Sequence, residues 1–395
     1  MSPGAKMEYL KSIYLRYKRA CRNKKSKILD EFCLNCCYHR KHAIRLLKQF
    51  KRFSKPKLEK RGKPSNYNKP EIIQPLKIIW FNAHMPCSKR LKAVLPLWLP
   101  YYAQEFTPLS ISSTKALLKI SPATIDRLLQ PVRLKYKTHG RSTTKPGTLL
   151  KKHIPIKTNQ WDESRPGFVE ADTVVHCGDS LLGQYAFTLD IVDIATGWTE
   201  QRAIWGKGQF SVFEQIKNIE NSLPFDLLGF DSDNGSEFLN WHLFKYFELK
   251  TNPSVQFTRS REYKKDDNAH IEQKNWTHVR QWLGYHRLDN PNVIPLMNDL
   301  YTKEWRLFHN FFCPSVKLIE KKRIASKTFK RYDNPKTPFQ RLLDSKFISA
   351  TVKRDLNEQF KGLNPFQLRK AMNVKLNKIF SVQCKKSTSV NYALR

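Results

Sequence analysis

The 395-residue sequence predicts an α/β core, a mixed five-stranded sheet flanked by helices, with helical regions before and after it. Three observations carry this prediction. Strand-like patterns at 167–176, 184–193 and 198–206 succeed one another with only turns between them. Two more, at 226–231 and 254–258, are interleaved with helical patterns at 209–221, 238–249 and 269–287. The resulting order, βββαβαβα, is that of a sheet covered by helices rather than of a sandwich or a bundle.

Taken from the N-terminus, residues 1–50 predict three short helices. Apolar residues recur at helical spacing over 8–20, a second helix covers 26–32, and a third turns Ala43, Ile44 and Leu47 inward. Arg40, Lys41 and Arg45 remain on the outside of that third helix, as in a helix-turn-helix DNA-binding module. Cys33, Cys36, Cys37, His39 and His42 are crowded too closely for a zinc finger with about a dozen residues between its ligand pairs, and read as thiols at a helical corner. Residues 51–69 form a basic linker without periodicity. A second helical DNA-binding module is expected at 70–134, where Pro75 would kink the first helix. Its last helix opens with Ser121 as N-cap and Pro122 at the first helical position, and carries Arg127 outward. A second basic linker spans 135–164.

The catalytic core is expected at 165–290 and a helical C-terminal region at 291–395. In the core, Asp193-Ile194-Ala195-Thr196-Gly197 turns the second strand into the third, and Asp193 reads as turn structure. Beyond it, the aromatic residues of 294–312 read as packing, and the basic stretch Lys317 to Lys336 as a clamp for DNA.

Chemistry concentrates on three carboxylates. Asp172 sits inside the first strand, where burying a charge is costly unless a cation or hydrogen bonds satisfy it. Asp233 follows the fourth strand in Ser232-Asp233-Asn234-Gly235, at a strand's carboxyl end, where open α/β sheets bind ligands. Glu272 lies in the first turns of a helix, in Asn268-Ala269-His270-Ile271-Glu272-Gln273. The intervals are 61 and 39 residues.

These residues resemble the Asp-Asp-Glu triad of retroviral-type integrases, and most nearly that of bacterial insertion-sequence transposases with an integrase core. The resemblance is strong over about 160–320. The second interval slightly exceeds the spacing of about 35 usual in that family, with the excess in the basic loop 259–268. The resemblance implies a ribonuclease H-like fold and a DNA transposase that cuts and joins strands at terminal inverted repeats. Two Mg²⁺ ions, with Mn²⁺ able to substitute, suit three oxygen ligands and phosphoryl transfer. Asp172, Asp233 and Glu272 are assigned as both catalytic and metal-binding residues. Arg259, Arg261, Lys264 and Lys265 precede the third carboxylate and are placed to grip phosphates.

The formal charge of +37 and a pI near 9.9 fit a polyanionic partner. Transposon-end and target DNA are therefore the expected partners, with a homo-oligomer forming on paired ends. No apolar run of 18 residues and no signal peptide is present, so no membrane role is expected and the location is read as cytoplasmic, associated with the nucleoid. Two other readings stay open: a ribonuclease H-like nuclease that does not join strands, and a DNA-binding regulator derived from a transposase.

Overall fold

The computed structural model describes residues 1–53, 66–136, 164–232, 237–238, 241–251, 253–259, 269–324 and 327–389. The chain divides into two compact units, Met1–Asn66 and Tyr67–Arg395.

The first unit holds α1 (Pro3–Arg19), α2 (Arg22–Cys36) and α3 (Arg40–Phe53). Ser2 caps α1 by accepting a hydrogen bond from the Ala5 amide at 3.2 Å, and Pro3 stands at its first position. Cys37, left-handed at φ 53°, stops α2, and Cys36 is buried. Leu10, Ile13, Ile28, Leu29, Phe32, Ala43 and Leu47 close a small core with it.

The second unit opens with α4 (Pro70–Asn82), α5 (Ser88–Glu105), α6 (Ile111–Lys119) and α7 (Pro122–Tyr136). Pro75 lies within α4, and the Thr124 amide donates to the Ser121 cap at 3.2 Å. The sheet follows: β1 (Phe168–Val175), β2 (Ala186–Asp193) and β3 (Thr199–Trp205), then α8 (Gln209–Glu220), β4 (Gly229–Ser232), α9 (Trp241–Glu248) and β5 (Gln256–Arg259). Its order is β3-β2-β1-β4-β5. β1 pairs antiparallel with β2 and β2 with β3, while β1–β4 and β4–β5 are parallel. This is a mixed five-stranded sheet with flanking helices, and it fits the expected ribonuclease H-like core.

Both faces are covered. Val169, Ala171, Phe187, Leu189, Ile191 and Phe230 meet Val212, Ile216 and Ile219 of α8 and Leu243 and Phe247 of α9. The opposite face receives α10 (Ala269–Lys274), a π-helical segment (Asn275–Arg280), α11 (Gln281–Leu283) and α12 (Val293–Leu300). A second π-helical segment (Tyr301–Trp305) carries α12 into α13 (Arg306–Phe312). Trp305, Phe308, Phe311 and Phe312 are fully buried, so the aromatic helix is packing, as its composition suggested. The helix predicted at 269–287 is instead interrupted by the π segment and ends at Gly284, whose positive φ of 65° terminates it.

The C-terminal region is not wholly helical. A ribbon of β6 (Leu318–Ile324) and β7 (Lys327–Tyr332) precedes α14 (Pro338–Asp344), α15 (Ala350–Lys361) and α16 (Pro365–Ser389). The ribbon was not foreseen because neither strand shows an apolar–polar alternation in its sequence; charged residues fall at both odd and even positions. The 70–134 segment, expected as a separate module, shares one core with this region. Trp98 packs edge-on against Phe366 at 4.9 Å, and Leu76, Leu95 and Leu129 join Phe308, Met372 and Ile379 in a single cluster. A buried charge network ties the sheet to α13. Glu200 accepts from Trp198 Nε1 at 3.0 Å and from Arg306 Nε at 2.8 Å, and pairs with Arg202 at 3.3 Å.

Candidate active site

Strand β1 presents alternate residues to the two faces of the sheet, so the apolar side takes Val169 and Ala171 while Glu170 and Asp172 face α10. Two hydrogen bonds fasten α10 and the π-helical segment that continues it across the strand. The Ile271 amide, in the first turn, donates to Glu170 Oε2 at 2.9 Å, an anion placed at a helix N-terminus. One turn later Asn275 Nδ2 donates to Asp172 Oδ2 at 2.6 Å. Glu272 lies between these two anchors, exposed to solvent, and makes no hydrogen bond or ion pair with the described residues. Asp172 also receives its neighbour Thr173's amide at 2.7 Å. The structure thus brings the helix of the third carboxylate onto the strand of the first.

Strand β4 runs parallel beside β1 with Ser232 registered to Ala171, the residues just before Asp233 and Asp172. Asp233 itself lies outside the described residues, as do Arg261, Lys264 and Lys265. Arg259 ends β5. In the first unit, Lys41 and Arg45 are exposed on α3. Arg40 is also exposed but is engaged with Asp30 and Ser26, and Arg45 contacts His42 at 3.0 Å. Arg127, exposed on α7, bonds back to Ala123 and Thr124 of its own helix. Asp193 accepts from the Gly167 amide at 2.8 Å and from the Thr196 amide and hydroxyl at 2.8 and 2.6 Å, holding the β2–β3 turn.

Several polar residues around the site were not singled out from sequence. Asn275 is one; its position three residues after Glu272 was the signal that could have found it. Glu237 is buried and accepts from Lys207 Nζ at 2.6 Å and Thr173 Oγ1 at 3.2 Å. Burial opposes its charge, yet the Lys207 ammonium and these hydrogen bonds hold the carboxyl below the usual range. Asp190 stands opposite Asp172 in the β1–β2 register and is fully buried, with Gln201 Nε2 donating to it at 2.7 Å. Burial pushes its carboxyl up to about 7. Lys274 on α10 is buried as well, which brings its ammonium down to about 8, and it donates to the Gly197 carbonyl at 3.1 Å.

Asp172 and Glu272 offer hard carboxylate oxygens on the α10 side of the sheet. That donor set fits Mg²⁺. Among the described residues alone, no group of three His, Cys, Asp or Glu converges as a metal site, Asp233 being outside them. Nor is any described helix long and apolar enough to cross a membrane.

No family model matches the chain. It is 36% identical over 343 residues to the uncharacterized protein y4rM of Sinorhizobium fredii (strain NBRC 101917 / NGR234), spanning 86% of this chain and 96% of that one. Among solved structures it is similar to the catalytic core domain of BIV integrase, at 13% identity and a TM-score of 0.28 over 46% of this chain and 95% of that one. The HTLV-2 integrase catalytic core in complex with magnesium, in a dimeric form, is similar at 15% identity and a TM-score of 0.27, over 38% and 90%.

Proposed function

The chain belongs to one family with y4rM of Sinorhizobium fredii, and we propose that it is a DNA transposase of the integrase type, cutting and joining strands at a site formed by Asp172, Asp233 and Glu272. The observation that carries this reading is the docking of α10 on β1. Asn275 Nδ2 donates to Asp172 at 2.6 Å, and Glu272 stands three residues, about one helical turn, before Asn275; this supports a site shared by Asp172 and Glu272.

Asp172, Asp233 and Glu272 would hold two Mg²⁺ ions. Such ions, when bound, supply an acidified attacking oxygen and neutralise charge gathering at the phosphorus. The chain's own residues orient the ligands. Thr173 and Asn275 fix one oxygen each of Asp172, and Glu170 fixes the start of α10. Lys207 and Glu237 brace β1 through Thr173. Arg259, Arg261, Lys264 and Lys265 are assigned to phosphates of the bound DNA. Lys41 and Arg45 of α3, with Arg40 and Arg127, are assigned to reading end DNA through helix-turn-helix modules. Joining needs two ends held at once, so the active form on DNA is a homo-oligomer.

The test uses Asp172→Asn, Asp233→Asn and Glu272→Gln in the full chain. Each abolishes strand cleavage in Mg²⁺ and leaves DNA binding within a few-fold. Full cleavage by any of the three defeats the assignment. Precleaved ends with a supercoiled target then separate joining from plain nicking: joined product supports the transposase, and free 3′ ends alone favour the nuclease.

A further inference from the structure

The β6–β7 ribbon is built unlike the central sheet. There, β2 is buried along its whole length and on both faces; here, among the described residues, two strands pair only with each other. A lone two-stranded hairpin is marginally stable in water. Residues 317–332 nevertheless contain seven basic residues and one acidic residue. The register sets Lys321 opposite Lys330, a like-charge cross-strand pair that destabilises a free ribbon. Large apolar side chains are also left in water: Ile319 is 55% exposed, Phe329 54% and Tyr332 48%. Glu320 neutralises part of the charge, pairing with Lys322 at 2.6 Å and Arg331 at 3.5 Å.

The base of this ribbon is held firmly. Lys317 and Asp333 exchange two hydrogen bonds, Asp333 pairs with Arg341 at 2.6 Å, and Ser315 and Lys336 form a further bridge. Lys317 Nζ reaches the Ala195 carbonyl at 2.9 Å, in the β2–β3 turn of the catalytic sheet. A capping box at Thr337 and Gln340 fixes the start of the next helix, α14. The ribbon is therefore aimed by the core, while among the described residues its strands pair with no other strand.

We propose that the β6–β7 ribbon is a DNA-binding arm that enters the major groove of duplex DNA. A two-stranded ribbon fits that groove, which is about 12 Å wide. Charge complementarity selects a polyanion, and phosphate strands on both sides of the ribbon relieve the repulsion between its basic residues. The exposed Phe329 gives the arm an apolar contact for base edges such as the thymine methyl. Its anchorage to Ala195 couples the arm's position to the sheet that carries Asp172. This inference rests on the reading of the chain as a DNA enzyme and adds the element that orients duplex on it.

The experiment measures duplex binding by the full chain as a function of salt. The arm variant changes Lys321, Lys322, Lys330 and Arg331 to Ala. A control variant removes the same charge from the exposed Arg354, Lys361, Lys370 and Lys378 of α15 and α16. A third, Phe329→Ala, keeps every charge. The arm variant, with an unchanged melting temperature, flattens the log–log salt slope by about 0.9 for each phosphate no longer neutralised and weakens binding at least tenfold, while the control moves the slope by less than one. Phe329→Ala weakens binding without altering the slope. Equal losses in arm and control variants overturn the proposal, as does an arm variant that binds like the parent. Should the parent chain bind no duplex at all, the DNA-enzyme reading itself falls, and that result is separate from either.

Discussion

Replacing Asn275 with Ala tests the docking of α10 most directly. Its side-chain amide donates to a carboxylate oxygen of Asp172 at 2.6 Å. A hydrogen bond to a charged group is worth about 1.5–3 kcal/mol. Both partners are half-buried and Asp172 keeps the Thr173 amide, so the lower part of that range applies. About 1.5–2 kcal/mol corresponds to a roughly 10- to 30-fold rise in the Mg²⁺ needed for half-maximal cleavage, or an equal fall in rate. Stability should scarcely change. The Asn275 Oδ1 atom is buried without a hydrogen-bond partner among the described residues, so its removal returns about 1 kcal/mol or more. Alanine also has the higher helix propensity. The assay pairs a Mg²⁺ titration of strand cleavage with a melting curve of the same preparation. A midpoint and rate within twofold of the parent would refute the reasoning, because the hydrogen bond would then not be holding a ligand. A large fall in melting temperature would refute it differently, by making Asn275 a folding residue.

The buried network at Glu200 predicts a stability effect away from the site. Glu200→Ala strands Arg202, whose side chain is only 2% exposed, and should cost about 3–5 kcal/mol; urea unfolding checks it, and a loss below about 1 kcal/mol counts against the network. The double change Glu200→Ala with Arg202→Met should recover much of that stability. His176 predicts acid sensitivity. Burial, with the Arg280 charge, holds its imidazole down to about 3, whereas the unfolded chain takes up the proton near 6.5. Its contribution is therefore fully present above pH 6.5 and is lost as pH falls from there towards 3, at about 1.4 kcal/mol per unit. Between pH 6.5 and 5, His176→Gln should flatten the stability profile by about that slope relative to the parent; identical slopes would contradict it.

Local chemistry made the central sheet readable. β1, β2 and β3 begin and end within two residues of the expected strands because each is bounded by turn residues. β4 starts three residues late, at Gly229, although Leu228 already bonds through its backbone to Gly167 and Gln256. Asp172 stood out because a carboxylate inside a strand needs a reason. Asn275 did not, since an amide on a polar helix face has no such cost; only the approach of β1 gives it a partner. Trp98 and Phe366 are apolar in any reading, yet their 268-residue separation leaves no sequence trace of their packing. The ribbon was hidden because strand periodicity is a record of one-sided burial, and the sequence of this ribbon carries no apolar side.

The packing of Trp98 in α5 against Phe366 in α16 governs how the chain must be made. Translation proceeds at about 5–20 residues per second, so Trp98 leaves the ribosome on the order of 10–50 s before Phe366 exists to cover it. Throughout that interval α4 to α7 carry an unfinished apolar surface, Leu76, Leu95 and Leu129 included. Chaperones therefore have a long window on the nascent chain, and a message truncated before the last helix yields a product in which Trp98 keeps Phe308 and Phe312 but lacks Phe366, and the shared core lacks Met372 and Ile379.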